Sequence, residues 1–356
     1  GPVAAGFGGS NADDPFAVAF AADCVRCYLA PLTIVLSEPG GAIHRVDLTV
    51  PVGEVGVNDP TGPDRHGYYA FDSGDTGYAQ APVYEWVEID PTRGGAGTDV
   101  GLSDFAYEQD DTETVDLPFA FRYYGVEYDQ LSICSNGWVA LGATDLRHWR
   151  NWTVPAAGSP DAMIAVFWDD LVQSGNDRVY RWHDAANHRY VVQWSRMANM
   201  AGSPQTCQVI LHDPAHHPTL TGDGLIVCQY HTVSNDDTNR GYATVGIQDH
   251  TRTDGVLYTY YAEDAPGAAP LAEGLAIAFL PAGVVTDAVC AVDPTSLEFT
   301  VPGGGQQTRT LHIASEGPAG ADLHFAIGQV DPAVAGGGLR NLTGSTLEIA
   351  EAEYLP

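Results

Sequence analysis

The chain has 356 residues, enough at roughly 100 to 200 residues per domain for two or three domains with ample core. Acids outnumber bases 46 to 15, giving a formal net charge of -31, and every base is Arg because Lys is absent. That charge, with no basic stripe to offset it, excludes nucleic acid as a partner, and no run of about 18 apolar residues is present to cross a membrane as a helix.

The chain opens Gly1-Pro2 with no charged and apolar leader, which reads as a mature or trimmed product. Forty Gly, 23 Pro and 17 Tyr with few helical periods predict an all-β protein of short strands and many turns. Residues 1–56 carry FAVAF, LTIVL and HRVDLTV, about three strands. A linker-like stretch, Gly53 to Gly67, follows. Residues 57–284 form the main block, a large jelly-roll-like β-sandwich, with alternating runs at VYEWVEI (83–89), FAFRYY (119–124), RVYRWH (178–183), RYVVQWS (189–195), CQVILH (207–212), LIVCQYHTV (225–233), YATVGIQ (242–248) and LYTYYA (257–262). Helix is expected only in short pieces, such as Pro160 to Met163. Residues 285–356 give SLEFTV, TRTLHIAS, DLHFAIG and STLEIA, about four strands, so each flank is shorter than a free-standing sandwich.

Six cysteines, at 24, 27, 134, 207, 228 and 290, point to an oxidising compartment outside the cell. Cys207 and Cys228 lie at nearly equal offsets from a Pro- and Gly-rich loop, and a disulfide between them would stabilise the fold by roughly 3 kcal/mol. Cys24 and Cys27 are expected in local or long-range disulfides, since no second CxxC completes a zinc site. In LSICSNGWVALG (131–142), Asn136-Gly137 predicts a tight two-residue turn with Trp138 packed inward. Cys134 there lacks a base or a helix N-terminus, so it reads as structural rather than nucleophilic.

Other candidate chemistry divides by residue type. Asp72-Ser73-Gly74 has no His or Ser partner to complete a triad. Glu88 and Asp90 fall on one strand face, but the second glutamate of a glycosidase pair is missing. His212, Asp213, His216 and His217 suit zinc or copper, although Pro214 and Pro218 break any helix that would align them. No cofactor is expected, but oxygen-rich turns at Asp72 and Asp75, Asp169 and Asp170, and Asp236 and Asp237 could hold calcium, the alternative being turn and cap chemistry of their side chains. Trp149, Trp152, Tyr68 and Tyr124 are candidate ligand platforms, since one of each aromatic pair, including Tyr260 and Tyr261, tends to face outward.

Several long blocks carry a resemblance: GYYAFDSGDTGYAQAPVYEWVEID (67–90), LPFAFRYYGVEYDQLSICSNGWVALG (117–142), MIAVFWDDL (163–171) and ANHRYVVQWSR (186–196). They resemble an accessory module of large secreted bacterial surface proteins that accompanies gingipain-like peptidases. NGWVALG followed by IAVFWDDL also looks like the nidogen-type extracellular β module. AVDPTSLEFTVPGGGQQTRTLHIAS (291–315) and VDLTVPVG resemble parts of immunoglobulin-like repeats, which implies partial immunoglobulin-like strands over 1–56 and a partial domain over 285–356. The resemblance implies a non-catalytic extracellular or cell-surface protein, structural or adhesive. Its partners would be itself or neighbouring domains, joined head to tail through edge strands. The alternative is an accessory domain of a secreted hydrolase that holds a glycan, peptide or surface protein on exposed aromatics.

Overall fold

The computed structural model describes residues 18, 29–37, 43–105, 109–219, 221–238, 241–281, 290–293, 312–315, 329–330 and 339–340. FAVAF apart from Val18, Cys24, Cys27 and most of 285–356 lie outside the described residues. The expectation of terminal strands borrowed between copies therefore falls largely outside them too. Strands β1 (Leu29–Ser37) and β2 (Ile43–Pro51) form an antiparallel hairpin in the register Leu29 to Pro51. Near the other end Cys290–Asp293 pairs with His312–Ser315.

Gln329–Val330 pairs likewise with Leu339–Arg340, and the strands between Tyr68 and Pro281 build two antiparallel sheets. In chain order they are β3 (Tyr68–Asp72), β4 (Thr98–Asp99), β5 (Thr112–Tyr123), β6 (Val126–Cys134), β7 (Trp138–Leu141), β8 (Met163–Trp168) and β9 (Leu171–Val172). There follow β10 (Arg178–Asp184), β11 (Arg189–Asn199), β12 (Pro204–His212), β13 (Ile226–Thr232), β14 (Thr244–Gln248), β15 (Gly255–Tyr260), β16 (Glu263–Asp264) and β17 (Ala276–Pro281). One sheet has the order β3-β17-β13-β12-β11-β10-β4, with β9 paired to β11; the other runs β16-β15-β14-β8-β7-β6-β5. Among the described residues the one helical element is a 3-10 turn at Pro91–Arg93; Pro160 to Met163 is a turn leading into β8.

Alternation explains the sandwich. Val192 and Trp194 on β11, Val209 on β12 and Cys228 and Tyr230 on β13 point inward, and they meet Ile133, Val139, Ile164 and Val166 of the facing sheet in one buried core. Polar tips of the aromatics cross the gap: Trp194 Nε1 donates to Cys134 O at 2.9 Å and Tyr230 Oη to Val166 O at 2.7 Å. Each finds an acceptor, so the rings are buried without an unpaired donor.

Both outer faces are covered as well. On one, Cys134, Trp138, Ala140, Met163, Ala165 and Trp168 form a second buried cluster. Trp138 is therefore buried on the outer face and not between the sheets. Its indole and that of Trp168 each donate to His148 O at 3.0 Å, which fixes the 143–162 loop over them. The β6–β7 connection also differs from expectation. Cys134 pairs with Trp138, leaving a three-residue loop in which Gly137 alone has positive φ, 73°. Gly137 O accepts from Val166 N and Phe167 N, so the turn is tucked beneath β8.

The other outer face is crossed by Val83 to Ile89, and here the predicted strand is not one. Gln193, Gln208 and Gln229 stand side by side on β11, β12 and β13, in register across the sheet. Their buried amides replace a backbone ladder. Glu85 N donates to Gln229 Oε1 at 2.7 Å and Gln229 Nε2 returns a bond to Glu85 O at 2.9 Å. Gln208, with its amide oriented to satisfy both partners, donates to Val87 O at 3.0 Å and accepts from Val87 N at 3.2 Å. Ile89 N donates to Gln193 Oε1 at 3.1 Å. Alternate residues of this strap are thus held by successive strands, while Val87 and Ile89 pack on Val191, Ile210 and Val227.

The expected Cys207–Cys228 disulfide is not formed, and both thiols are free and buried. Cys207 is opposite Tyr230 and Cys228 opposite Val209, so the two cysteines are diagonal neighbours. Diagonal neighbours lie roughly 7–8 Å apart, beyond the Cα separation of about 7 Å that a disulfide spans.

Candidate ligand cleft

Trp149, Arg150, Asn151, Trp152, Thr238, Gly241, Tyr260 and Tyr261 line a cleft of about 350 Å³. Its base is rigid. Asn151 is buried and its amide donates to Tyr242 O and, at 3.1 Å, to Thr244 Oγ1. Thr244 Oγ1 in turn donates to Trp152 O at 2.9 Å. Together with the His148 clamp, these bonds hold the main chain on either side of Trp149 and Trp152 and leave Trp152 55% exposed.

The opposite wall comes from an unusual hairpin. Tyr260 pairs with Glu263, so Tyr261 and Ala262 are the two central residues of the β15–β16 turn, with φ of 57° and 56°. Such turns favour Asn or Gly because left-handed backbone costs an L-residue about 1–2 kcal/mol. Tyr242, also left-handed at φ 61°, packs its ring edge-on to Tyr261 at 6.2 Å. Tyr260 lies 6.5 Å from the Trp152 ring. Strained aromatic positions thus gather around one opening, with Tyr261 58% exposed.

Of the predicted platforms, Trp149 and Trp152 reach this cleft, joined by Tyr260 and Tyr261. Tyr68 and Tyr124 do not. Both are buried, their rings 4.6 Å apart beside Tyr123, and Tyr124 Oη donates to Asp64 Oδ2 at 2.6 Å. Both belong to the buried core between the two sheets, which enclose them.

The acidic candidates fall in three separate places. Asp72 accepts from Tyr258 Oη at 2.7 Å, Ala269 N at 3.1 Å and Gly74 N at 2.7 Å, and Asp75 accepts from Asp72 N at 2.8 Å. Burial, reinforced by the Asp72 and Asp59 carboxylates, pushes Asp75 up to about 7. Asp236 accepts from Asn199 Nδ2 at 2.8 Å and Ser203 Oγ at 2.6 Å, bonds that hold its carboxyl below the usual range and join two loops. Main-chain Asp237 O accepts from Tyr242 N at 3.0 Å.

Asp169 and Asp170 belong to a larger cluster. Asp169 N donates to Asn136 O at 3.3 Å and Leu171 N to Asn136 Oδ1 at 3.0 Å, while Asn136 Nδ2 donates to Asp110 Oδ1 at 2.9 Å. Asp104 is buried beside them with its Oδ2 lacking a hydrogen-bond partner. Burial above all, then the charges of Asp110, Asp170 and Asp111, pushes its carboxyl up to about 7. Sequence reasoning missed Asp104 because a loop residue next to Ser103 gives no sign of being drawn inside.

The groups weighed for catalysis are otherwise engaged. Cys134 is fully buried, which pushes its thiol up to about 12. Burial also opposes ionisation of Asp90, but bonds from Ser195, Thr92 and Arg196 outweigh it and hold the carboxyl at about 2. A β-bulge at Ser195-Arg196, with Arg196 at φ 62°, aims those two side chains at the strap's end. Glu88 accepts from Gln193 Nε2 at 3.0 Å.

A family model described as NIDO related matches residues 91–284. No curated protein and no solved structure matches the chain. The matched span contains the two short motifs of nidogen-type appearance, NGWVALG and IAVFWDDL, and the fold brings them together: Trp138 pairs with Ala165 and Val139 with Ile164 in the middle of one sheet. The match extends over more than half of the 356 residues, and the chain belongs to the NIDO-related family.

Proposed function

We propose that this is an extracellular, non-catalytic adhesive module that recognises a carbohydrate in the Trp149–Tyr261 cleft. NIDO-related domains are typically extracellular, and among the described residues no helix is long and apolar enough to cross a membrane. The observation that carries the reading is the placement of Tyr261 at a left-handed turn position opposite exposed Trp152, where a smaller residue would be less strained. Flat aromatic faces stack on the apolar faces of sugar rings, while Arg150 and Thr238 offer polar groups for hydroxyls. The engagement of Cys134 and Asp90 within the fold supports the non-catalytic part. Accompaniment of a peptidase, immunoglobulin-like flanks and head-to-tail strand exchange stay proposals of the same reading. They are tested by imaging the purified chain for polymers.

Calcium, in this reading, sits beside Asp104, whose buried Oδ2 lacks a donor and whose carboxyl feels the charges of Asp110 and Asp170, rather than at Asp72 or Asp236, both of whose carboxylate oxygens meet main-chain or side-chain donors.

A glycan array followed by calorimetry on the best ligand tests the proposal. Trp152→Ala and Tyr261→Gly should each weaken binding by about tenfold or more, the usual loss for an aromatic anchor. Tyr261→Gly should also leave the melting temperature unchanged or raised. A chain that binds no glycan, or variants that bind as the parent does, would refute it.

A further inference from the structure

A second set of side chains converges where two hairpin ends meet. Arg189 on β11 is opposite His212 on β12, so the turn before β11 and the loop after β12 lie together at one end of the sheet. His188 occupies that turn in the left-handed conformation, φ 51°. Main-chain bonds tie the segments: Asp213 N donates to His188 O at 2.9 Å and His216 N to Asp213 O at 3.0 Å. Ala215 N donates to Asp213 Oδ1 at 2.9 Å, which orients the carboxylate and leaves Oδ2 4.0 Å from His216 Nε2.

The His188 and His216 rings stack with centroids 3.5 Å apart and planes 12° from parallel. One ligand atom from each of His188, Asp213 and His216 lies within 4.8 Å of the other two. The sequence expectation named His212, Asp213, His216 and His217; Asp213 and His216 gather with His188, while the His212 and His217 rings pack on each other at 4.6 Å.

We infer that His188, Asp213 and His216 bind a divalent transition-metal ion, zinc or copper, in an open site with three protein ligands. Two imidazoles and one carboxylate suit these borderline ions and not calcium, which takes six to eight oxygens. Bonds of about 2.0–2.2 Å place ligand atoms roughly 3.3–3.5 Å apart in a tetrahedron, so atoms within 4.8 Å of one another must draw in by at most about 1.4 Å. Stacked rings hold their lone pairs parallel, and one ring must turn for both to meet a common ion. Both histidines are exposed, so a turn about the side-chain torsions meets little packing. The hydrogen bond from Ala215 then does what an outer-shell partner does at built metal sites, fixing the carboxylate before the ion arrives.

The test uses the full chain, stripped with a chelator and titrated with Zn2+ and separately with Cu2+ by calorimetry. Expected is one ion per chain, with affinity lowered at least about tenfold in His188→Gly and in His216→Ala, each of which loses a ligand. His188→Gly is chosen because it removes the ring where the backbone is left-handed, which keeps the variant folded. His217→Ala should bind as the parent does. Cu2+ electron paramagnetic resonance should report two nitrogen ligands in the parent and one in His188→Gly. No binding at neutral pH, or a signal unchanged by both ligand variants, would overturn the site.

Discussion

Replacing Gln208 by Leu keeps the side chain's bulk and removes the amide that serves both main-chain groups of Val87. Two backbone groups of the strap then lose their partners beneath Trp86 and Ile89. At about 1–3 kcal/mol for each buried group left unpaired, the direct cost is roughly 2–6 kcal/mol. Part of that is recovered if the strap lifts and its amides reach water, so the fall in global stability should sit near the lower figure. The strap should then open locally ahead of the sheets. Urea unfolding of parent and variant measures the first, and hydrogen exchange at residues 85, 87 and 89 measures the second. A variant within about 0.5 kcal/mol of the parent, with those amides still protected, would refute the idea that the glutamine row holds the strap.

Gly137→Ala puts a Cβ 1.8 Å from Phe167 O in a backbone at φ 73°; we expect a loss above about 4 kcal/mol or failure to fold, against about 1 kcal/mol for Gly175→Ala, which has open space. Equal urea midpoints would sink that account. Stability should also rise as pH falls from 8 to 5. Asp75 and Asp104 have folded values near 7 against the ordinary 3.8, so their contribution is complete below about 4 and is lost as pH climbs through 7. Carboxyls held low, such as Asp90, weaken the fold only at more acidic pH. Thermal melts that stay flat or fall between pH 8 and 5 would count against the raised values, and added Ca2+ at pH 7.5 should recover part of the gain by neutralising Asp104.

Much of the sandwich was legible because period-two alternation fixes which residues face inward. The runs at 189–195, 207–212 and 225–233 become three adjacent strands of one sheet. Val83 to Ile89 alternates just as well, since a segment lying over a sheet also buries every second residue; what distinguishes it is the partner, side-chain amides rather than a backbone edge. Trp149, Trp152, Tyr260 and Tyr261 were visible as doublets, whereas Tyr68 and Tyr124 misled because which member of a doublet enters the core between the sheets is a tertiary property. Cys207 and Cys228 failed through a displacement of two residues beside the Thr206/Cys207 bulge. His188 joins Asp213 only through the pairing of Arg189 with His212, which sequence spacing does not reveal.

An asparagine followed by glycine is the dipeptide most prone to spontaneous deamidation, since the next main-chain nitrogen can attack the side-chain carbonyl and close a succinimide. At Asn136 the attack is blocked by anchorage: the amide is fully enclosed, its nitrogen donating to Asp110 and its oxygen accepting from Leu171. Ageing at this position therefore requires the fold to come apart first. Isoaspartate at 136 would act as a chemical memory of past unfolding in material that outwardly looks native.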